Sequence, residues 1–475
     1  MTLDLTKVSD KLYNEDLAPT TPEQRNWGTY QILSLWMSDV HSVGGYVFAA
    51  GLFFLGLTGW QVLSCLVLGI FIVNYFINLM GEPGHKYGIP YAVMCRVSFG
   101  VFGANLPALV RAIIGIIWYG VQTWLASEAV VILIVATFPD TAQYTTNSIL
   151  GLSSLGWAAF LFMWFFQMAI FYRGIETIRK FIDFCGPAVY VVMFALAIWI
   201  FSQAGVDSLR LSLGDKELSG GETIYTMLTA ISLVVAYFAA LLLNFGDFSR
   251  FTVSMQTMKR GNFWGLPVNF LLFSLVTVVV TAGTVVVFGE AILDPVQIVG
   301  KIPNKFALKI GCITFIIATM GINIVANFVS PAYDLANLFP KYINFRRGGL
   351  LTSFLAVLIL PWHLFNSPVI INYFVGALGA FLGPLYGVMI ADYYKIKKSD
   401  VSVQDLYEAT SDGKYFYENG WNPVAVKALI PATVIAAVVA LIPALHYIAP
   451  FGWFIGAGLG YLFYLMFAGS PASGK

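Results

Sequence analysis

An aspartate, a histidine, two serines and a glycine pair interrupt the first long apolar run of this chain, in "WMSDVHSVGGY" at residues 36–46. Asp39 falls about eleven residues into a segment that reads as membrane helix, and at ~1.5 Å per residue this is roughly 16 Å from its start. That depth is close to the midplane of a ~30 Å hydrocarbon core. A carboxyl group there must face a cavity or a partner, which marks a functional site. Ser38, His41 and Ser42 add oxygen and nitrogen beside it. Gly44-Gly45 is the expected point of unwinding, where freed carbonyls are tolerated only under cover of protein or water. The bland alternative is that Asp39 bonds a neighbouring helix and the glycines permit close packing.

Three more apolar segments carry polar or aromatic residues near their middles. Trp118 and Gln122, in "WYGVQTW", are four apart and share a helix face. An indole beside a carboxamide stacks on a flat ring and bonds to its edge. Asn323 and Asn327 repeat the spacing in "GINIVANFVSPAY", and Tyr237-Phe238 precede "LLLNFGDFSR". Asparagines in membrane helices also serve as interhelical glue, and aromatics as core. Taken together, the four segments suit a small, neutral, planar heterocycle with urea-like N–H and C=O groups. No nucleophile–base pair and no His/Cys ligand spacing is present, so the chain is not expected to be an enzyme or to hold a cofactor. "GAGLG" at 456–460 lies inside an apolar run with no strand before it, which favours helix packing over a nucleotide loop. The four scattered cysteines read as small buried hydrophobes.

These residues must be positioned by membrane helices. The chain is 58% hydrophobic and 11% charged, against ~25% charged in soluble domains, and its mean hydropathy is +0.77. A net charge of +1 argues against nucleic acid as a partner. Apolar windows near ~20 residues recur as spans 1 to 12, at 28–56, 60–80, 104–138, 150–172, 182–204, 224–246, 264–289, 307–338, 350–365, 369–394, 426–446 and 450–468. The polar segment before span 1 carries no cleavable signal pattern, so span 1 is expected to act as the insertion signal. Of the 26 lysines and arginines, 19 fall on the termini and even-numbered connections. Only Arg210, Lys216, Lys301 and Lys305 fall on odd-numbered ones. By the positive-inside rule both termini are cytoplasmic, in a multi-pass cell-membrane protein. Arg111, Lys309 and Lys427 lie near helix ends and are expected to snorkel.

The chain resembles the nucleobase:cation symporter-1 family, carriers of uracil, allantoin, cytosine and hydantoins. The resemblance rests on "NEDLAPT", "GHKYGIPYAVMCRVSFG", "WYGVQTW", "NFGDFSRF", "NIVANFVSPAYDLANLFP" and "GALGAFLGPLYGVMIADYY", in this order. It implies an all-α integral membrane protein of twelve helices with a LeuT-type 5+5 inverted repeat and broken helices 1 and 6. The expected organisation is a cytoplasmic segment at 1–27, repeats at 28–204 and 224–394, and two added helices at 426–468.

The resemblance also implies roles. Trp118 would stack on the substrate ring, Gln122 would bond its edge, and Asn327 would add amide contacts, with Asn323 beside it. Phe238, helped by Tyr237, stands where the hydantoin carrier has a second indole, and Ser42 where it has a glutamine. The sodium-linked member's cation ligands match the backbone carbonyls of Ser38, His41 and Ala318. Its two hydroxyl ligands fall at Gly321 and Ile322, which lack side-chain oxygens. Asp39 offers a proton carrier instead, so H+ is favoured over Na+. The implied function is import of a planar nucleobase or cyclic ureide by cation symport, by a monomer in the lipid bilayer. A channel would need a continuous polar lining, and an amino-acid carrier a site for ammonium and carboxylate groups.

Overall fold

A computed structural model describes residues 3–205, 218–365 and 368–469. Arg210, Lys216 and Lys475, counted above for orientation, lie outside the described residues, as do Asn366 and Ser367 at the boundary of spans 9 and 10. Helices account for the regular structure of the described chain, and no strand longer than an isolated bridge occurs among the described residues.

Among the described residues, eight helices are long and apolar enough to cross a membrane. They are Gly59–Tyr87, Asn105–Thr137, Ser154–Tyr172, Ile175–Ala204, Met255–Phe288, Lys305–Leu338, Pro423–Leu441 and Ala449–Ala468, which are spans 2, 3, 4, 5, 7, 8, 11 and 12. Of the other four, spans 1 and 6 are interrupted and span 9 is short. Span 1 is Thr29–Val40 followed by Val43–Gly51, and span 6 is Gly220–Tyr237 followed by Ala239–Asn244. Span 9 is Phe345–Leu358, and span 10 is Pro368–Ile390 continued by a π-helical turn to Ile396. Local chemistry sets several boundaries. Thr58 and Ser219 open spans 2 and 6 with capping boxes, and Gly88, in the left-handed region at φ 71°, ends span 2.

Span 1 breaks at His41–Ser42, not at Gly44-Gly45. Ser42 is extended (φ −76°, ψ 156°), and its hydroxyl accepts the Gly45 N–H at 3.0 Å, capping the second half-helix. A cap that satisfies an orphan donor is a stronger stop signal than two glycines. The glycines lie within the second half and give clearance: a Cβ on Gly45 would sit 2.6 Å from the Val40 carbonyl.

The spans interleave rather than stack in chain order. Span 1 packs on spans 5 and 7, span 2 on 6 and 7, and span 3 on 4, 8 and 9, while spans 10, 11 and 12 pack together. The residues before span 1 are pinned to the face where spans 3, 7 and 9 begin. Arg250 donates to the carbonyls of Asp16 and Ala18, Arg96 to that of Leu12, and Asn14 to those of Pro340 and Ile343. Arg111 corrects the snorkelling expectation. It is wholly shut off from solvent, because span 3 crosses beneath spans 6 and 8, whose carbonyl and amide oxygens accept from it.

"GAGLG" is the packing seam expected of it. A Cβ on Gly460 would lie 2.5 Å from the Pro384 carbonyl, and one on Gly387 2.0 Å from that of Ala457. Backbone meets backbone there, so no rotamer change can relieve an added side chain. Gly460→Leu should therefore cost more than the ~1–3 kcal/mol usual for overpacking. It should lower the melting temperature of the purified protein in detergent while leaving substrate affinity unchanged. An unshifted melting curve would show that spans 10 and 12 are not in this contact.

Candidate functional site

The two breaks lie close together: a Cβ on Gly45 of span 1 would stand 3.7 Å from the Tyr237 hydroxyl of span 6. Their neighbourhood encloses a cavity lined by Asp39 of span 1, Trp118 and Gln122 of span 3, Tyr237, Phe238, Ala240 and Leu241 of span 6, and Ile322, Ala326 and Asn327 of span 8. Six residues singled out in the sequence for ring binding or coupling, from four separate helices, thus surround one space: Asp39, Trp118, Gln122, Tyr237, Phe238 and Asn327.

Each is placed by a local cause. Asp39 sits in the last turn of the first half-helix, 6% exposed, and no group among the described residues donates to its Oδ2. Gln122 is held against the second half-helix because position 44 is glycine: a Cβ there would stand 3.0 Å from Gln122 Nε2. Its Oε1 has no protein donor, so the carboxamide keeps an acceptor for a ligand. Phe238 occupies the break of span 6 (φ −85°, ψ 0°) and meets Phe270 edge-on at 5.6 Å. The Tyr237 ring stacks on Phe48 at 4.6 Å, and a Cβ on Gly44 would be 3.6 Å from its hydroxyl.

Asn327 lies in a π-helical stretch, Asn323–Val329. Such turns recur at functional sites, because they re-aim side chains without ending the helix. Asn327 Nδ2 donates to Asn323 Oδ1 at 3.1 Å. Asn323 itself does not line the cavity. Its Nδ2 is taken up by the Tyr119 carbonyl (3.0 Å), Thr123 Oγ1 (3.0 Å) and Gln167 Oε1 (2.8 Å). It ties span 8 to spans 3 and 4 and orients Asn327 from behind.

Ser42 and His41 are likewise behind the lining. Ser42 is engaged as a cap, and the His41 ring lies between the Tyr46 hydroxyl (Nδ1, 2.6 Å) and Asn269 Oδ1 (Nε2, 3.3 Å). Asn269 donates to the carbonyls of Trp36 and Gly265, so this histidine fastens the break to span 7. Ser38 and Ala318 are buried outside the cavity. Side-chain oxygen is absent at Gly321 and Ile322, and Ile322 turns into the cavity wall. Ser38 Oγ, buried without a protein partner, lies 3.4 Å from where a Gly321 Cβ would be. Gly321 and Ile322 thus add no oxygen of their own beside the Ser38 hydroxyl, and a hard cation is bound by oxygen. No cluster of three or more His, Cys, Asp or Glu suited to a metal ion occurs among the described residues.

Sequence reasoning missed Ala240, Leu241 and Ala326, the apolar floor of the cavity. Small and aliphatic residues in a membrane helix carry no signal of their own. The break at Phe238, which exposes that stretch of span 6, was the available clue.

A family model for permeases for cytosine/purines, uracil, thiamine and allantoin matches residues 19–465. The chain is 38% identical to an allantoin permease of Bacillus subtilis over 98% of this chain and 95% of that protein. It is 35% identical to a purine-uracil permease of Arabidopsis thaliana over 90% of this chain and 71% of that one. Among solved structures it is similar to Mhp1, a nucleobase-cation-symport-1 transporter held closed on bromovinylhydantoin, with a TM-score of 0.76 at 22% identity over 96% of this chain and 95% of the other. A sodium-coupled sialic acid symporter shares the fold at a TM-score of 0.61, over 96% and 91% of the two chains. With its broken first and sixth spans, LeuT-type fold and family match over nearly its whole length, the chain is a membrane permease and belongs to the nucleobase:cation symporter-1 family.

Proposed function

We propose that this permease imports a neutral, planar nucleobase or cyclic ureide, with allantoin the first candidate, by symport with a proton. The observation that carries this reading is the convergence of Trp118, Phe238, Gln122 and Asn327 on one cavity beside Asp39. Aromatic side chains at two positions offer ring faces, and the two carboxamides offer donors and acceptors for a urea-like edge. A substrate with charged ammonium and carboxylate groups would find one acid and no fixed cation in that lining. The names of the Bacillus and Arabidopsis relatives support the class. Both termini are assigned to the cytoplasm from the basic residues.

The coupling role falls to Asp39. It borders the cavity, its Oδ2 has no donor among the described residues, and Gly321 and Ile322 offer no side-chain oxygen to sodium. A carboxylate kept charged at this depth is costly, so a proton taken up together with substrate relieves the closed site. A sodium reading draws on one specific observation, the unpartnered Ser38 hydroxyl beside Gly321.

Loss of the indole in Trp118→Ala should remove a stacking contact worth about 1–3 kcal/mol. Binding of allantoin or uracil to the purified protein should weaken about tenfold or more, with the melting curve retained. Unchanged affinity for both would remove Trp118 from the site. Gln122→Leu and Asn327→Leu each leave a ligand polar group unpaired, at about 1–3 kcal/mol. Competition of labelled uptake by a panel of heterocycles should show both variants failing to distinguish a ring N–H from its N-methyl form. Wild-type discrimination in both would make the amides structural.

Uptake into proteoliposomes should rise with an inward proton gradient, ignore replacement of sodium by choline, and lose accumulation but not exchange in Asp39→Asn. Sodium-dependent accumulation at fixed pH that survives Asp39→Asn would reassign coupling to the Ser38 region.

A further inference from the structure

Arg111, Asp247 and Asp334 meet where spans 3, 6 and 8 converge on the face that carries the N-terminal segment. All three are fully shut off from solvent. Arg111 Nη2 donates to the Ala326 carbonyl at 2.6 Å, one residue before Asn327, and its Nε makes a long 3.4 Å bond to Asn244 Oδ1. Asn244 Nδ2 donates in turn to Asp247 Oδ2 (3.3 Å) and to Ser330 Oγ, and the Tyr91 N–H donates to Asp247 Oδ1 at 2.8 Å. One chain of bonds thus joins the cavity floor to spans 3, 6 and 8.

Asp334 stands apart within this cluster. Among the described residues no group donates to either of its oxygens, and none accepts from Arg111 Nη1. The charged and titratable groups within electrostatic reach of Asp334 are Asp247, Arg111, Tyr91 and Cys95. Arg96 faces Cys95 and Arg250 faces Tyr333, farther out, and both are spent on backbone carbonyls of the N-terminal segment. Two carboxylates therefore confront one guanidinium, an excess of one negative charge. An unpaired charge buried this way is strongly disfavoured, and one bound proton removes it.

We propose that this cluster is a proton-binding latch: it holds one proton, on Asp334, while spans 3, 6 and 8 are closed, and yields it to water when they part. The proton enters and leaves on the N-terminal face, so its cycle carries no charge across the membrane. It is separate from the coupling step assigned to Asp39 and stands whether the coupling ion is H+ or Na+. Its consequence is control: acid on the N-terminal face keeps the permease shut on that side.

The test reads opening without substrate or gradient, so it is independent of the uptake experiments. Cysteines replacing the exposed Lys259, at the start of span 7, and Lys341, between spans 8 and 9, take spin labels on the N-terminal face. Pulsed EPR of the full chain in nanodiscs then follows the fraction at the longer, open distance as pH is raised through neutrality. Release of one proton on opening lets the open-to-closed ratio rise by up to tenfold per pH unit. Asp334→Asn, neutral at every pH, should flatten this dependence in the closed state, and Asp334→Glu should restore it. Asp247→Asn leaves one carboxylate against one guanidinium and should flatten it too, which keeps the test open if the Asp334 variant does not fold. A wild-type ratio that ignores pH, or a full slope in either Asn variant, would overturn the latch.

Discussion

A carboxyl group at the depth of Asp39 cannot face lipid, and the architecture around it supplies the alternative. Spans 1 and 6 are each interrupted at the level of the cavity, so backbone and side chains turn toward protein-lined space instead of hydrocarbon. The interruption in span 1 is chemically secured: the Ser42 hydroxyl caps the second half, while His41 is bonded by Tyr46 and Asn269. Remove these bonds and nothing in the intrinsic propensity of an apolar segment would keep it from running through as one helix.

The remaining site residues are held by packing between spans distant in sequence. Asn323 fastens span 8 to spans 3 and 4, and the π-helical stretch it begins delivers Asn327 to the cavity. Gly44 lets span 1 approach span 3 closely enough for Gln122 to lie against it. A small residue and a hidden amide thereby determine what the lining residues offer. On the proposed reading they set the geometry of the ring pocket, and the Arg111 cluster beneath it sets when that pocket opens to the N-terminal face.

Much of this was legible in the sequence because the membrane makes polar residues conspicuous. Asp39, Gln122 and Asn327 stood out against apolar surroundings, and four-residue spacing fixed which of them share a helix face. Legibility ended where two physical roles look alike in one dimension. Asn323 and Asn327 have the same type and spacing, yet one lines the cavity and the other braces it. Gly44-Gly45 looked like the helix breaker, but the break belongs to a serine cap three residues before Gly45. Arg111 looked like a snorkelling residue because helix depth was judged on span 3 alone, and the covering by spans 6 and 8 is a tertiary fact. The charged neighbours of Asp334, Asp247 and Arg111, are more than 80 residues away along the chain and beyond any local pattern.

The central claim is that the cavity between the two broken spans receives a planar heterocycle. A structure of the purified permease with saturating allantoin or uracil tests it most directly. The account predicts ring density against the Trp118 indole, its polar edge on Gln122 and Asn327, and Phe238 on the opposite side. Density placed elsewhere, such as in the aromatic groove formed by Phe76, Tyr386 and Trp453, with the cavity beside Asp39 left as it is, would contradict it.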